Sequence, residues 1–572
     1  MTDFSFDRLP FEPDSVSLWK QADPARDNWP VVYTISNQTE IYVGETVNVA
    51  TRLGQHLMSP SKQHLEHVQI INHRKFNKSV CLDLESQLIK YFAADGKHRV
   101  LNANAGITEA NYFDRETYRE SFEELFQSLV EEGMLSRPIP EIVNSNLFKF
   151  SPFKSLNSEQ ALALTGVLEK LIEDIGGRTN ESIVIEGDPG TGKTIVAIYL
   201  MKLLSDLPKI TPAEAAEQES MFSDFFNYPT QQLFQNFKMA IVIPQQALRK
   251  TISDVFAMTP GLSKSMVMSQ FDVGVSDEYF DLIIVDEAHR LGRRANQSSA
   301  AQNLKFREIN EKLFGQDSLE ATQLEWIKAK SKHQVLLLDV AQSIKPADLP
   351  ILLTEKLISD AKKSHCHFPL RSQMRVEGGN DYIEFIGRLL SDAPDKLNSF
   401  GPYEFKFCES FDELKQLVED REKTFGLSRM LAGYAWEWKS KNDKSAIDIE
   451  LEGHRIQWNQ TITDWVNSPT SPREMGSIHT IQGYDLNFAG VVIGRDLSYD
   501  PISGDITFQR DSYFDTKGKE DNPKLGLKFS DSELLAYVIN IYRVLLTRGI
   551  KGTFLYVVDE GLRGHLRRSL EI

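Results

Sequence analysis

The stretch GDPGTGKT, residues 187–194, lies between the apolar run SIVIE and the helix-patterned IVAIYLMKLL. A G-x-x-x-x-G-K-[ST] sequence acquires meaning only between a strand and a helix. There its glycines let backbone N–H groups curl around phosphate oxygens, and the helix N-terminus adds favourable potential. Further Val/Ile/Leu runs, MAIVIP, DLIIVDEAH and HQVLLLDV, alternate with helical stretches. Continuous apolar runs of this kind predict a parallel sheet covered on both faces. GVVIG and GTFLYVV predict a second one. Within the loop, Gly187, Asp188, Gly190, Thr191 and Gly192 form the cradle, Lys193 reaches the β- and γ-phosphates, and Thr194 ligates Mg²⁺. Asp286 and Glu287 end the strand DLIIVDE. The first is suited to hold the Mg²⁺ water shell and the second to orient an attacking water, which together mean ATP hydrolysis.

At 572 residues the chain exceeds what one hydrophobic core supports, and we expect three α/β domains joined by an arm and a connector. Residues 1–28 show no sustained period and carry Pro10, Pro13 and Pro24, as an arm docking elsewhere would. Residues 29–115 pass from β pattern into helical TVNVATRLGQHL and CLDLESQLIKYFAADG, a small α/β unit. Residues 116–150 read as an acidic helical connector ended by RPIP, and residues 151–345 and 346–572 hold the two series of apolar runs. No apolar run is long enough to span a bilayer, and the N-terminus MTDFSFDRLPFEPD lacks the basic and apolar segments of a secretory signal, so a cytoplasmic protein without membrane contact is expected. Cys81, Cys366 and Cys408 are too few and too scattered for a disulfide framework or a zinc ribbon.

A formal net charge of −17 opposes nucleic-acid binding on average, because phosphate backbones attract clustered Lys and Arg. Locally the balance reverses. Arg52, Lys62, Arg74, Lys75 and Lys78 lie close in sequence with little acid between them, and HRLGRR adds Arg290, Arg293 and Arg294.

The ordered series LNSEQ, GDPGTGKT, IVIPQQALRK, DEAHR, LLLDVAQ, LRSQMR, SIHTIQGYDLNFAGVVIG and YRVLLTRG resembles the motifs of superfamily 1 helicases. The later blocks, with SRMLAGYAWEW among them, are most similar to the Schlafen group 3-like DNA/RNA helicase domain, over roughly residues 151–572. The resemblance implies two RecA-like lobes with ATP in the cleft between them. It also implies that Gln160 reads the adenine and that Gln342 senses the γ-phosphate. Arg375 and Arg548 would neutralise transition-state charge, and Gln482 and Gly483 would couple nucleotide to nucleic acid. Trp436 and Trp438 are expected in the core, with base stacking as the alternative.

Near the N-terminus, VVY is followed after a polar turn by IYVG, then by Arg52 and His56 four residues apart on one helix face, by Glu85, and by Asn102 in LNAN. This order resembles the GIY-YIG nuclease family over about residues 30–105, although Val31 and Val32 stand where Gly and Ile are usual. The resemblance implies a site for cutting phosphodiester bonds. Glu85 would hold one divalent ion, Mg²⁺ or alternatively Mn²⁺, and Arg52 the scissile phosphate. Tyr33 would accept the nucleophile's proton with His56 sharing that role, Tyr42 would position water or phosphate, and Asn102 would fix the geometry.

The expectation is therefore an ATP-driven nucleic-acid translocase or helicase carrying an N-terminal endonuclease, acting on DNA in preference to RNA. Bacterial defence against foreign DNA, with self-assembly or a defence-system partner protein, is expected by association with similar fusions. A catalytically silent N-terminal clamp on the same ATPase, and a nucleotide-controlled scaffold, are the competing expectations.

Overall fold

The computed structural model describes the chain except residues 1–3, 22–27, 103–111, 154–155, 178–180, 211–221, 295–296, 298–299, 340–347, 392–395, 462–463, 482–483, 517, 520, 522–527 and 572. Internal packing divides it into two units. One comprises Met1–Ser158, Ile195–Phe237 and Thr251–Met266, and the other Glu159–Thr194, Lys238–Lys250 and Val267–Ile572.

The first unit is built on a five-stranded sheet of β1 (Phe4–Pro10), β2 (Val31–Ser36), β3 (Glu40–Thr46), β4 (His67–His73) and β5 (Arg99–Val100), in the order β1-β4-β2-β3-β5. The N-terminal segment thus docks as an antiparallel edge strand, Phe4 opposite His73 and Pro10 opposite His67. Period-2 alternation sorts the side chains of the β2–β3 hairpin to two faces. Val32, Ile41 and Val43 join Leu84, Leu88, Phe92 and Phe122 in one core, while Val31, Tyr33, Ile35 and Tyr42 join Val49, Leu53 and Ile70 in the other. The helix Val49–Met58 covers the tyrosine face and is capped by Asn48, whose side chain accepts from the Thr51 amide. The helix Lys78–Asp95, capped by Asn77 and closed by Gly96 in the left-handed region, packs on the opposite core.

The second unit contains two wholly parallel sheets. The first comprises β6 (Ile183–Gly187), β7 (Met239–Val242), β8 (Val267–Met268), β9 (Phe280–Val285), β10 (Ser331–Leu338) and β11 (His367–Leu370), in the order β11-β6-β10-β9-β7-β8. Because β11 pairs with β6, this sheet runs on to Leu370, past the expected limit at residue 345. The second part opens with β12 (Glu404–Phe407) and β13 (Ser428–Ala432), followed by the hairpin β14 (Ile449–Leu451) and β15 (His454–Ile456). It continues through β16 (Met475–Ser477), β17 (Leu486–Ile493), the hairpin β18 (Leu497–Asp500) and β19 (Asp505–Phe508), and β20 (Gly549–Val557). Its sheet has the order β12-β20-β17-β13-β16, buried on both faces as the continuous apolar strands require. This is the α/β architecture of two parallel sheets expected for RecA-like lobes. Among the described residues no helix is long and apolar enough to cross a membrane.

Candidate active sites

In open parallel sheets, ligand sites form beyond the carboxyl ends of the strands. The loop after β6 and the acidic pair after β9 both lie at that edge, with β10 between the two strands. Gly190 (φ +88°) and Gly192 (φ +83°) adopt backbone conformations that side chains disfavour. Each also lacks room for a Cβ, which would collide with the Gln373 side chain at Gly190 and with Gln160 at Gly192. Lys193, 5% exposed, donates to the carbonyls of Gly187 (2.6 Å) and Asp188 (3.0 Å) and lies 3.5 Å from Asp339 Oδ2. Thr194 Oγ1 donates to Asp286 Oδ2 at 2.8 Å. A hydroxyl and a carboxylate brought to one point are hard oxygen donors of the kind Mg²⁺ takes, so these residues fit the ion.

Asp286 is fully buried, and burial followed by the neighbouring Glu287 charge pushes its carboxyl up to about 6. Burial also acts on Glu287, but His289, Arg290 and Lys193 outweigh it and hold that carboxyl well below its usual range. His289 Nε2 lies 3.1 Å and Arg290 Nε 3.3 Å from Glu287 Oε2, and the Asp339 amide donates to His289 Nδ1 at 3.3 Å. Glu287, at φ +50°, is one of the few non-glycine residues in the left-handed region.

Gln160 is buried and donates from its amide to the Thr191 carbonyl at 2.9 Å, which puts it on the phosphate loop. The segment Arg371–Arg375 closes over the same loop. Gln373 Nε2 donates to the Pro189 carbonyl (2.8 Å) and the Met374 amide to the Gly190 carbonyl (2.9 Å), while Glu159 accepts from the amides of Arg371 (2.9 Å) and Ser372 (2.7 Å). Arg375 Nε lies 2.6 Å from Asp485 Oδ1. Arg548 is 3% exposed, and burial followed by the Arg375 charge lowers its guanidinium to about 9, so it remains a cation at neutral pH. Arg375 Nη1 and Arg548 Nε are buried and lack hydrogen-bond partners among the described residues. Two neighbouring cations with unspent buried nitrogens, sharing the single carboxylate of Asp485, favour a further anion beside them. Gln342, Gln482 and Gly483 lie outside the described residues. Trp436 and Trp438 are half-buried against the second core. Asp339, Gln373, Asp485 and Glu159 received no role from the sequence. Asp339 has the clearest signal, a carboxylate ending an apolar strand just as Asp286 does.

In the first unit, Tyr33 Oη and His56 Nε2 are 2.8 Å apart. The rings of Tyr33, Tyr42 and His56 form a triangle with centroid separations of 6.4, 5.9 and 4.9 Å. Burial lowers His56 to about 3, with the Lys62 and Arg52 charges acting in the same direction, so its imidazole is neutral. Burial and then Tyr42 raise the Tyr33 phenol well above its usual value, while Arg52 lowers it both by charge and by hydrogen bonding. Glu85 belongs to the same electrostatic cluster. Burial, then the Glu45 carboxylate, push it up to about 8 against the opposing charges of Lys78 and Arg52. Asn102 stands slightly apart in role, because its amide is consumed by the backbone of Val43, accepting from N at 3.0 Å and donating to O at 2.8 Å. The structure therefore brings Tyr33, Tyr42, Arg52, His56 and Glu85 into one electrostatic neighbourhood and uses Asn102 to hold β3 beside it.

Glu45 went unassigned in the sequence, although strand alternation from Val43 puts it on the Glu85 side of the hairpin. One of its oxygens pairs with Lys78 and the other, Oε2, is buried without a hydrogen-bond partner. An orphaned carboxylate oxygen beside a carboxyl raised by like charge fits a divalent cation. Among the described residues no cluster of three or more His, Cys, Asp or Glu forms, so such an ion would keep much of its water.

The family model of the Schlafen group 3, DNA/RNA helicase domain matches residues 180–559. A curated relative, Uncharacterized protein YPL245W of Saccharomyces cerevisiae, is 23% identical over 416 residues, covering 67% of this chain and 83% of its own. The crystal structure of Pif1 helicase from Bacteroides in complex with ADP-AlF3 and ssDNA aligns over 70% of this chain and 92% of that one. Its identity is 11% and its TM-score 0.23, a superposition too loose to carry an argument. The family match spans the phosphate loop, the Asp286–Glu287 pair and both arginines of the second unit, and this chain belongs to the Schlafen group 3, DNA/RNA helicase domain family.

Proposed function

We propose that this protein is an ATP-driven nucleic-acid translocase or helicase whose N-terminal domain is a metal-dependent endonuclease. The proposed organisation is an arm (1–28), a nuclease domain (29–115), a connector (116–150) and two RecA-like lobes (151–345 and 346–572), with Phe4–Pro10 of the arm adding an edge strand to the nuclease domain's sheet, Phe122 of the connector packing in its core, and the first lobe's sheet continuing to Leu370.

The observation that carries the motor half is the convergence of the loop at Lys193, the Asp286–Glu287 pair, Arg375 and Arg548 on one region. Mg²⁺, when bound, neutralises phosphate charge. Thr194 and Asp286 would hold it, with Gly187, Asp188, Gly190, Thr191, Gly192 and Lys193 cradling the phosphates. Glu287, kept ionised by His289 and Arg290, is suited to orient the attacking water. Arg375 and Arg548 stabilise the charge that develops on the transferred group. Gln160, on the loop, would contact the nucleotide, and Gln342, Gln482 and Gly483 would link its state to the strand.

The nuclease half rests on the Tyr33–His56 contact beside Arg52 and Glu85. A divalent ion at Glu85 would supply Lewis acidity at the phosphate. Arg52 would hold the scissile phosphate, Tyr33 would take up the nucleophile's proton, and Tyr42 would orient water or phosphate. DNA is the favoured substrate. A motor and a nuclease on one chain raise each other's local concentration on a shared strand. A role in defence against foreign DNA rests on association with similar fusions.

The test is a matrix of linear, circular and branched DNA and of RNA, with and without ATP and Mg²⁺ or Mn²⁺, for wild type, Lys193→Ala and Glu85→Ala. The proposal expects ATP hydrolysis lost only in the first variant and nicking lost only in the second. Nucleic acid left intact by wild type under every metal, with ATPase active, would reduce the N-terminal domain to a clamp.

A further inference from the structure

Lys62 lies in the turn after the helix Val49–Met58 and has no role in the family resemblance. Its Nζ is 3.0 Å from His56 Nδ1 and 3.7 Å from the centroid of the Tyr42 ring. An ammonium over an aromatic face is held there as a cation. An ammonium has three donors and no acceptor, so the His56 nitrogen that meets it must offer a lone pair. A neutral imidazole with an unprotonated Nδ1 carries its one proton on Nε2. Nε2 is the atom 2.8 Å from Tyr33 Oη.

We propose that Lys62 is a positioning residue that locks His56 in the Nε2–H tautomer, so that His56 donates a hydrogen bond to Tyr33 rather than accepting its proton. This rests on the nuclease reading for its functional consequence, though the tautomer itself does not. The groups facing His56 agree with it. Arg52 also acts on Tyr33 as a hydrogen-bond donor, so Tyr33 Oη meets two donors, while the Tyr42 ring packs against the imidazole in a T-shaped contact. The arrangement excludes a relay from Tyr33 to His56 and makes His56 and Arg52 the groups that hold the Tyr33 oxygen in place. A merely structural Lys62 would brace Tyr42 without regard to which imidazole nitrogen carries hydrogen.

The experiment is ¹⁵N NMR of the full chain labelled at histidine, with the His56 signals identified by their loss in His56→Gln. The proposal expects a protonated Nε2 and a bare Nδ1 in wild type at neutral pH, retention of that state in Lys62→Arg, and a mixture of tautomers in Lys62→Met. In a nicking assay Lys62→Met should cost about tenfold in the wild-type background and less than about twofold in the His56→Gln background, since residues sharing one hydrogen-bond network are non-additive. A protonated Nδ1 in wild type, or an equal Lys62→Met penalty in both backgrounds, overturns the proposal. If wild type cuts no substrate, the nuclease reading fails, while the nitrogen shifts still decide the tautomer.

Discussion

Tyr33 and Gly44 face each other across the β2–β3 ladder, and a methyl group added to Gly44 would fall inside the van der Waals shell of the tyrosine hydroxyl. The glycine of IYVG is therefore the space into which the Tyr33 side chain extends. Gly44→Ala should destabilise the first unit by about 1–3 kcal/mol through overpacking. It should also displace Tyr33 Oη from His56, abolishing nicking while ATP hydrolysis by the same preparation stays within about twofold. Thermal melting and the two activity assays check this, and a fully active nuclease would show that Tyr33 has no fixed position to lose.

Asn102 ties the end of the chain's fifth strand to β3 through both halves of its amide. Asn102→Ala leaves the buried Val43 N–H and C=O without these partners, so a loss of about 2–3 kcal/mol in unfolding free energy is expected. Asn102→Asp should be nearly as costly, because a carboxylate cannot donate to the Val43 carbonyl. Denaturant titration of both variants measures the effect.

Arg548 should act on the chemical step rather than on nucleotide binding. Arg548→Lys keeps a charge but loses the planar fork, and ATP turnover should fall about a hundredfold with little change in nucleotide affinity. Steady-state hydrolysis and equilibrium binding of a fluorescent nucleotide separate the two quantities.

A buried carboxyl in the second unit gives a pH signature. Asp496 is fully buried, accepts from the Tyr542 hydroxyl at 2.6 Å, and is pushed by burial up to about 7. A carboxyl with a raised folded-state value binds protons more tightly when folded. Its stabilising contribution is present below its ordinary value near 4 and is lost as pH rises through about 7. Asp496→Asn keeps the acceptor for Tyr542 and removes the titration. The variant should therefore be more stable than wild type at pH 8 and lose that advantage toward pH 5, by melting temperature across the range.

His56 gives the opposite sign. Its value falls to about 3 when folded, so the folded state resists protonation, and stability decreases as pH drops below the ordinary histidine value of about 6.5. His56→Gln should flatten the acid limb of the first unit's unfolding curve between pH 6 and pH 4, followed by tyrosine fluorescence or circular dichroism.

The parallel sheets were legible because continuous apolar strands such as DLIIVD and GVVIG encode burial on both faces locally, without reference to distant residues. The phosphate loop was legible for a similar reason, since its glycines and lysine are adjacent in sequence. The limit of the first sheet was not. The strand His367–Leu370 contains a proline and a histidine, and it is recruited by pairing with β6 from more than 150 residues away. No local pattern marks Gln373, which reaches the Pro189 carbonyl of the phosphate loop, or Glu159, which accepts from the amides of Arg371 and Ser372, because both act through long-range hydrogen bonds. Glu45 and Lys62 were visible as charges, but their meaning depends on neighbours across the fold, on Lys78 and Glu85 in one case and on His56 and Tyr42 in the other.

The most direct measurement is a crystal structure of the full chain grown with Mn²⁺ and a non-hydrolysable ATP analogue, with manganese located by its anomalous scattering. Two separate manganese peaks are predicted, one between Thr194, Asp286 and the analogue's phosphates and the other at Glu85 beside Tyr33 and Arg52. Manganese at the nucleotide alone, with Glu85 bonded only to protein, would contradict the account of the N-terminal domain. An analogue bound away from Lys193 would contradict the account of the motor.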